Sequence, residues 1–389
     1  MGLASRNKIL TRESKDSRLG DLSHKPNTSQ MALAEPRTIP LQIKNPATRV
    51  LIALGLALPV VFVVNLVAGS VRIPVGEVFG ILFEGESDRP AWVQIVWNLR
   101  LPRTLTTILA GAALAMSGLQ MQTFFRNPLA GPFVLGISSG ASLGVALVVL
   151  VTGAGASMLI AGINAFGNFS LAASASLGAA SVLGLVISVS RRVESNMTLL
   201  ILGLMFGYVS GAIVSILVYF SASNAVQAYL IWTFGSFAGV TWTQLAIFAP
   251  VVLIGLLIGA MSTKALNALL LGETYAASLG LTVSFARFWI LSSASLLAGV
   301  TTAFCGPIAF LGIAVPHLAR SVLNTSDHRT LIPAVCLAGA TIAMIADLIA
   351  RVPGSSVTLP LNAVTAIIGA PVVVWVVLRR RNLKSSFAS

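Results

Sequence analysis

Ten mainly apolar stretches, separated by short polar breaks, follow one another between residues 47 and 378. They fall at roughly 48–69, 98–121, 133–152, 168–190, 197–220, 242–262, 284–304, 307–322, 330–350 and 359–378. A helix needs about 20 such residues to cross the hydrocarbon core of a bilayer. The repetition predicts an all-α integral membrane protein of about ten transmembrane helices in a compact bundle. The eighth stretch is short and begins at Gly306-Pro307, so a tilted or broken span is expected there. Composition agrees: 56% of residues are hydrophobic and 10% charged, against about 25% charged in a soluble domain. With a mean hydropathy of +0.89, a soluble enzyme and a disordered chain are both excluded.

The net charge of +13 is concentrated at the two ends. Residues 1–50 hold nine basic and four acidic residues, and the C-terminal stretch adds Arg379, Arg380, Arg381 and Lys384. Basic flanks around apolar spans set orientation in a membrane, so nucleic-acid binding is not the reading. Three regions follow: a polar N-terminal tail at 1–45, expected to be disordered, a transmembrane domain at 46–380 and a basic tail at 381–389. Ten spans place both termini on one side. With that side cytoplasmic, it carries the tails plus Arg126, Arg191, Arg192, Lys264, Arg287, Arg320 and Arg329. Arg72, Arg89, Arg100, Arg103 and Arg351 remain outside. A semi-polar outer segment, Asn224–Trp242, carries Tyr229 and Trp232 and suits a short interfacial helix.

No catalytic set is visible. The three histidines, His24, His317 and His328, have no Cys or carboxylate cluster beside them, so no metal site and no cofactor are expected. Cys305 and Cys336 read as small buried hydrophobes. There is no G-x-x-x-x-G-K-[ST] loop, so nucleotide hydrolysis would belong to another chain. Intramembrane charges are scarce. Asp347 stands four residues before Arg351, a helical spacing that suits pairing. The lack of midplane carboxylates argues against a proton-coupled secondary transporter.

Four stretches sit at span ends. The first runs from Asn98-Leu99-Arg100-Leu101-Pro102-Arg103 through Gly111 and Gly118 to Arg126-Asn127-Pro128-Leu129-Ala130. The second is Leu266–Leu281, LNALLLGETYAASLGL. The third runs from Gly306-Pro307 through Pro316-His317 and Arg320 to Asp327-His328-Arg329, and the fourth from Leu359-Pro360 to Gly369-Ala370-Pro371. In this order and spacing they resemble the FecCD family of ABC importer permeases, over about residues 50–380. Thr358 and Asn362 depart from that family's usual acidic residue and glycine, and Gly131 from a frequent acidic residue.

The resemblance implies a type II ABC importer permease in the bacterial cytoplasmic (inner) membrane. It would pair with a second permease subunit, most simply as a homodimer, and with two cytoplasmic ABC ATPase subunits. An extracytoplasmic substrate-binding protein and membrane lipid complete its partners. The expected cargo is an iron chelate, a ferric siderophore or haem, with cobalamin as the alternative. Leu266–Leu281, broken at Gly272 and Gly280, fits two brief helices with an exposed turn around Glu273–Ser278. Leu271, Gly272, Glu273, Thr274, Tyr275, Ala276 and Ser278 are the candidate ATPase-coupling residues. Arg100, Arg103 and Arg351 are candidates for docking the binding protein, because a guanidinium pairs bidentately with carboxylates. Ser117, Ser138, Ser139 and Ser142 are candidates for lining the translocation path, each against a simpler role in helix packing.

Overall fold

In hydrocarbon an unsatisfied backbone N–H or C=O costs several kcal/mol, so apolar stretches of this length close their hydrogen bonds internally as helices. The computed structural model describes residues 46–87, 89–151, 165–190, 192–193, 196–352 and 358–379, and no strand occurs among them. Both tails read from the sequence lie outside the described residues.

The chain begins with α1 (Pro46–Val67) and α2 (Val75–Phe83). Next comes α3 (Pro90–Gln94), which continues through a π-helical segment, Ile95–Arg100, into α4 (Leu101–Phe124). A 3-10 turn at Pro132–Leu135 precedes α5 (Ile137–Ala146), α6 (Ala165–Ser190) and α7 (Asn196–Phe220). Then follow α8 (Ser223–Thr233), α9 (Trp242–Met261), α10 (Thr263–Leu270) and α11 (Glu273–Ser278). The last four are α12 (Val283–Cys305), α13 (Leu311–Leu323), α14 (His328–Ala350) and α15 (Leu361–Arg379).

Among the described residues, seven helices are long and apolar enough to cross a bilayer: α1, the continuous α3–α4, α6, α7, α9, α12 and α14. Three shorter apolar helices, Ile137–Val151, Leu311–Leu323 and Leu361–Trp375, occupy the places of the third, eighth and tenth expected spans. The shortness of the eighth has a local cause. Gly306 and Phe310 both take positive φ, 73° and 69°, so the chain cannot turn helical before Leu311. The outer segment does contain a short helix, α8, with Tyr229 stacked on Trp232.

The bundle is organised around α4, which is buried along nearly its whole length and packs against α14, α12, α13 and α9. Small residues permit this density. A Cβ on Gly111 would overlap the Gly339 carbonyl of α14, and one on Gly118 would overlap the Gly312 backbone of α13. Backbones approach this closely in a membrane only where side chains are absent. α1 lies against α14 and presents Ile52, Leu56 and Val60 outward, as a lipid-facing helix does.

Candidate functional site

α4 and α14 run antiparallel: Arg103, at the start of α4, meets Asp347 near the end of α14, while Thr123, at the end of α4, meets His328 at the start of α14. A helix of this length, with a rise of about 1.5 Å per residue, separates the two polar clusters by the thickness of a bilayer core. These are the two ends at which chemistry is concentrated.

At the Arg103 end the three arginines singled out in the sequence come together and turn inward. Arg100 is 6% exposed, and its guanidinium donates to the carbonyls of Leu66 (2.5 Å), Val67 (2.9 Å) and Val71, capping the end of α1. The Leu66 and Val67 carbonyls belong to the last turn of α1, which has no N–H of its own to offer them. Asp347, itself buried, bridges Arg103 at 2.7 Å and Arg351 at 2.6 Å. Arg351 also donates to the Asn65 carbonyl at 3.0 Å and to the Asn65 side chain. Of the three docking candidates, Arg100 and Arg351 are buried rather than presented to a partner, and Arg103 is 18% exposed. Burial without partners is what a guanidinium cannot tolerate, and the carbonyls and carboxylate that satisfy it are within the chain. The exposed cations of this region are Arg72 and Arg89, the latter over the Trp92 ring at 4.7 Å.

Asn65 does not stand out in the sequence motifs, although an Asn inside the apolar run of α1 is the kind of signal that marks a buried polar partner. Nearby, the Trp242 indole N–H donates to the Trp97 carbonyl at 2.8 Å, and that of Trp97 to the Ile81 carbonyl at 3.2 Å.

At the opposite end, Leu266–Leu281 forms the two brief helices α10 and α11. The break falls at Leu271-Gly272, with Gly272 at φ 103°, and Glu273–Ser278 is the second helix rather than the exposed turn. Leu266, Leu269 and Ala276 face inward. Leu271, Tyr275 and Leu279 face outward at 55%, 54% and 61% exposure, with Thr274 and Ser278 also exposed. An apolar tip of this kind, on a structured rather than a loose segment, has the form of a contact surface.

Two polar clamps hold the tip. Glu273 accepts from Asn196 at 2.6 Å and from Arg287 at 3.4 Å, and Asn196 also donates to the Phe124 carbonyl at 3.2 Å. Asn267 donates to Asp327 at 2.7 Å, while its carbonyl oxygen accepts from the His328 backbone N–H at 2.9 Å and from His328 Nδ1 at 2.7 Å. His328 Nε2 lies 2.9 Å from the Thr123 hydroxyl. Asp327 is the N-cap of α14, and the Arg329 backbone N–H, then the Asn267 amide, hold its carboxyl below the usual range. Arg320 donates to Gln122 at 2.5 Å, and His317 Nε2 donates to the Pro128 carbonyl at 2.5 Å. Parts of the first three span-end stretches, far apart in sequence, thus meet around the last turn of α4.

The four serines divide. Ser117 donates to the Ala294 carbonyl at 2.7 Å, and Ser138 shares a 3.0 Å bond with Thr302, so both serve helix packing. Ser139 lies beside Gly207 of α7, and Ser142 lies beside Tyr229 of α8, whose phenol is pushed up by burial. Asn362, one of the departures from the family pattern, accepts from the Ala309 N–H at 3.1 Å and donates its own N–H to the Phe234 carbonyl at 3.0 Å. No cluster of His, Cys, Asp or Glu suited to a metal occurs among the described residues.

Three comparisons bear on this geometry. The model of the FecCD transport family matches residues 57–379. The vitamin B12 import system permease protein BtuC of Klebsiella pneumoniae is 37% identical over 336 residues, covering 86% of this chain and 94% of that protein. BtuC of Shigella boydii is 34% identical over 344 residues, covering 88% and 99%. A solved structure described as an inward-facing conformation of a metal-chelate type ABC transporter superposes with a TM-score of 0.73 at 29% identity, covering 85% of this chain and 99% of its own. A match over nearly the whole helical region, in family model, sequence and fold alike, makes this multi-pass membrane chain a member of the FecCD transport family, with the architecture of an ABC importer permease.

Proposed function

We propose that the chain is the permease subunit of an ABC importer whose cargo is a cobalamin. It works with a second permease subunit, two cytoplasmic ATPase subunits and an extracytoplasmic binding protein, with both termini in the cytoplasm. Full-length similarity to vitamin B12 permeases from two organisms is the observation that carries the cargo reading. It favours cobalamin over the iron chelate preferred from the sequence, since both of those permeases are named for vitamin B12. The metal-chelate description of the structural neighbour is consistent with either cargo.

The positive-inside count places the α10–α11 tip in the cytoplasm. There its exposed Leu271, Tyr275 and Leu279 supply an apolar face for a groove of the ATPase. ATPase closure then moves the tip as a rigid body against the spans. At the outer end the binding protein docks over Arg103, with Arg72 and Arg89 as further cations, while Arg100 and Arg351 keep that surface in shape. A bulky polar cargo needs a wide, weakly binding passage, and Ser139 and Ser142, on α5 facing α7 and α8, are better placed for it than Ser117 and Ser138.

Proteoliposomes holding the permease, its ATPase and its binding protein test the reading. Cobalamin should accumulate only with ATP on the ATPase side, and its uptake should be indifferent to the proton gradient. Accumulation of haem or a ferric siderophore in its place returns the cargo to iron chelates. Uptake that collapses with the proton gradient alone identifies a secondary transporter.

A further inference from the structure

The two helices of the tip are tied separately, and both ties end on the same turn of the same helix. From α10 the path runs Asn267, His328, Thr123; from α11 it runs Glu273, Asn196, Phe124. Thr123 and Phe124 are consecutive residues at the end of α4, the most deeply packed helix of the bundle. On the same turn Gln122 accepts from Arg320 of α13 and donates to the Ile313 carbonyl at 3.1 Å.

We propose that Asn267, His328 and Thr123 are positioning residues that transmit displacement of the tip to α4, and that this link is built to be made and released. The inference rests on the reading of the tip as the ATPase contact.

The chemistry of the link supports release. Asn267 Oδ1 already accepts the His328 backbone N–H, so it is the acceptor for Nδ1 as well, and Nδ1 carries the ring proton. A neutral ring then offers Nε2 as an acceptor to the Thr123 hydroxyl. That hydroxyl has one proton and a second acceptor, the Leu119 carbonyl at 2.9 Å. Rotation of a single O–H therefore joins α4 to His328 or returns the proton to α4's own backbone. Thr123 is satisfied in both states, and the cost of release falls on the buried His328 Nε2. Asn267 has no such alternative, because all its bonds are to Asp327 and His328. The firm end of the link lies on the tip and the releasable end on α4. A permanent strut would be the reverse of what a cycling transporter requires, since it would hold one state against the other.

The test uses the reconstituted complex of permease, ATPase and binding protein, with cobalamin as cargo, and compares N267A, T123V and the double variant. Three quantities are read: ATPase co-purification, cargo moved per ATP hydrolysed, and thermal unfolding. With N267A the ATPase should still co-purify, while cargo moved per ATP falls by roughly tenfold, the size of one transmitted interaction. T123V removes only the hydroxyl and keeps the shape, so it reads the same step should N267A fail to insert. If the residues act in one path, the double variant is no worse than the more severe single variant, a failure of additivity. Unchanged cargo per ATP in both single variants overturns the inference, and so do losses that multiply in the double variant. Loss of the ATPase from N267A alone assigns Asn267 to docking and also overturns it. Retention of the ATPase by a tip variant such as Y275E is a different result: it removes the underlying reading of the tip itself.

Discussion

The two ends of the α4–α14 pair solve opposite problems with similar residue types. At the Arg103 end full charges are buried and every one is answered within the chain: Asp347 by two guanidiniums, Arg100 by three carbonyls. At the His328 end the links are largely between neutral groups or single charges, and beyond them an apolar tip is left uncovered. A buried ionic cluster is costly to open because removing one partner strands the others. A chain of hydroxyl, amide and imidazole rearranges at a smaller cost, about 1–3 kcal/mol for one stranded neutral group. The first end is thus a lock, and the second a joint.

The sharpest way to break this comparison is Asp347→Ala. It leaves Arg103 and Arg351 facing each other without a carboxylate, and the expected loss is about 3–5 kcal/mol of stability. Thermal unfolding in detergent reads it; a shift too small to separate from wild type would mean the Arg103 end is no lock. Tyr275→Glu should do the converse, weakening ATPase association by roughly 2 kcal/mol or more, as for a central aromatic contact. Unfolding should stay unchanged, and a destabilised variant would show that the tip is core rather than contact surface. Reversing Arg72 and Arg89 to Glu should slow binding-protein association by roughly tenfold at low salt, an effect that fades as salt is added. Salt-independent kinetics would shift docking away from these cations. The smallest effect belongs to Asp327→Ala, which removes the N-cap of α14 for ~1 kcal/mol. The Asp327 carboxyl is held below its ordinary range, so its contribution is present above the unfolded-state value and is lost as pH falls through the folded one. In the Ala variant that acid-side loss should shrink, which a pH series of unfolding curves would detect.

Most of the span pattern is legible because hydropathy is a property of each stretch alone. Even the short eighth helix announces itself through Gly306-Pro307. The tip is legible as a pair of helices broken at Gly272, but the helical state of Glu273–Ser278 is not, because Glu273 reads as an exposed charge until Asn196 and Arg287 are beside it. The burial of Arg100 is hidden for a related reason. Its partners are backbone carbonyls at the end of α1, which leave no trace in side-chain identity. Asp347 and Arg351 can be paired from their spacing, whereas Arg103 joins them from 244 residues away. The link at His328 is equally non-local: Thr123, Asn267 and His328 are each unremarkable in their own segments, and only the crossing of α4, α10 and α14 makes them neighbours.

The glycine contacts of α4 carry a consequence for motion. Where Gly111 lies on Gly339 and Gly118 on Gly312, backbone touches backbone, and no side-chain rotamer remains that might flex to let one helix slide past another. At mid-length α4 is thus held in register with α13 and α14, so a rearrangement at the Thr123 end has to rock about these contacts rather than slide along them. At the seams of α9 and α15 a glycine meets a side chain instead, Gly259 against Met116 and Gly369 against Phe310. A motion confined to rocking about two backbone contacts has few degrees of freedom, because every other displacement of α4 would drive one main chain into another.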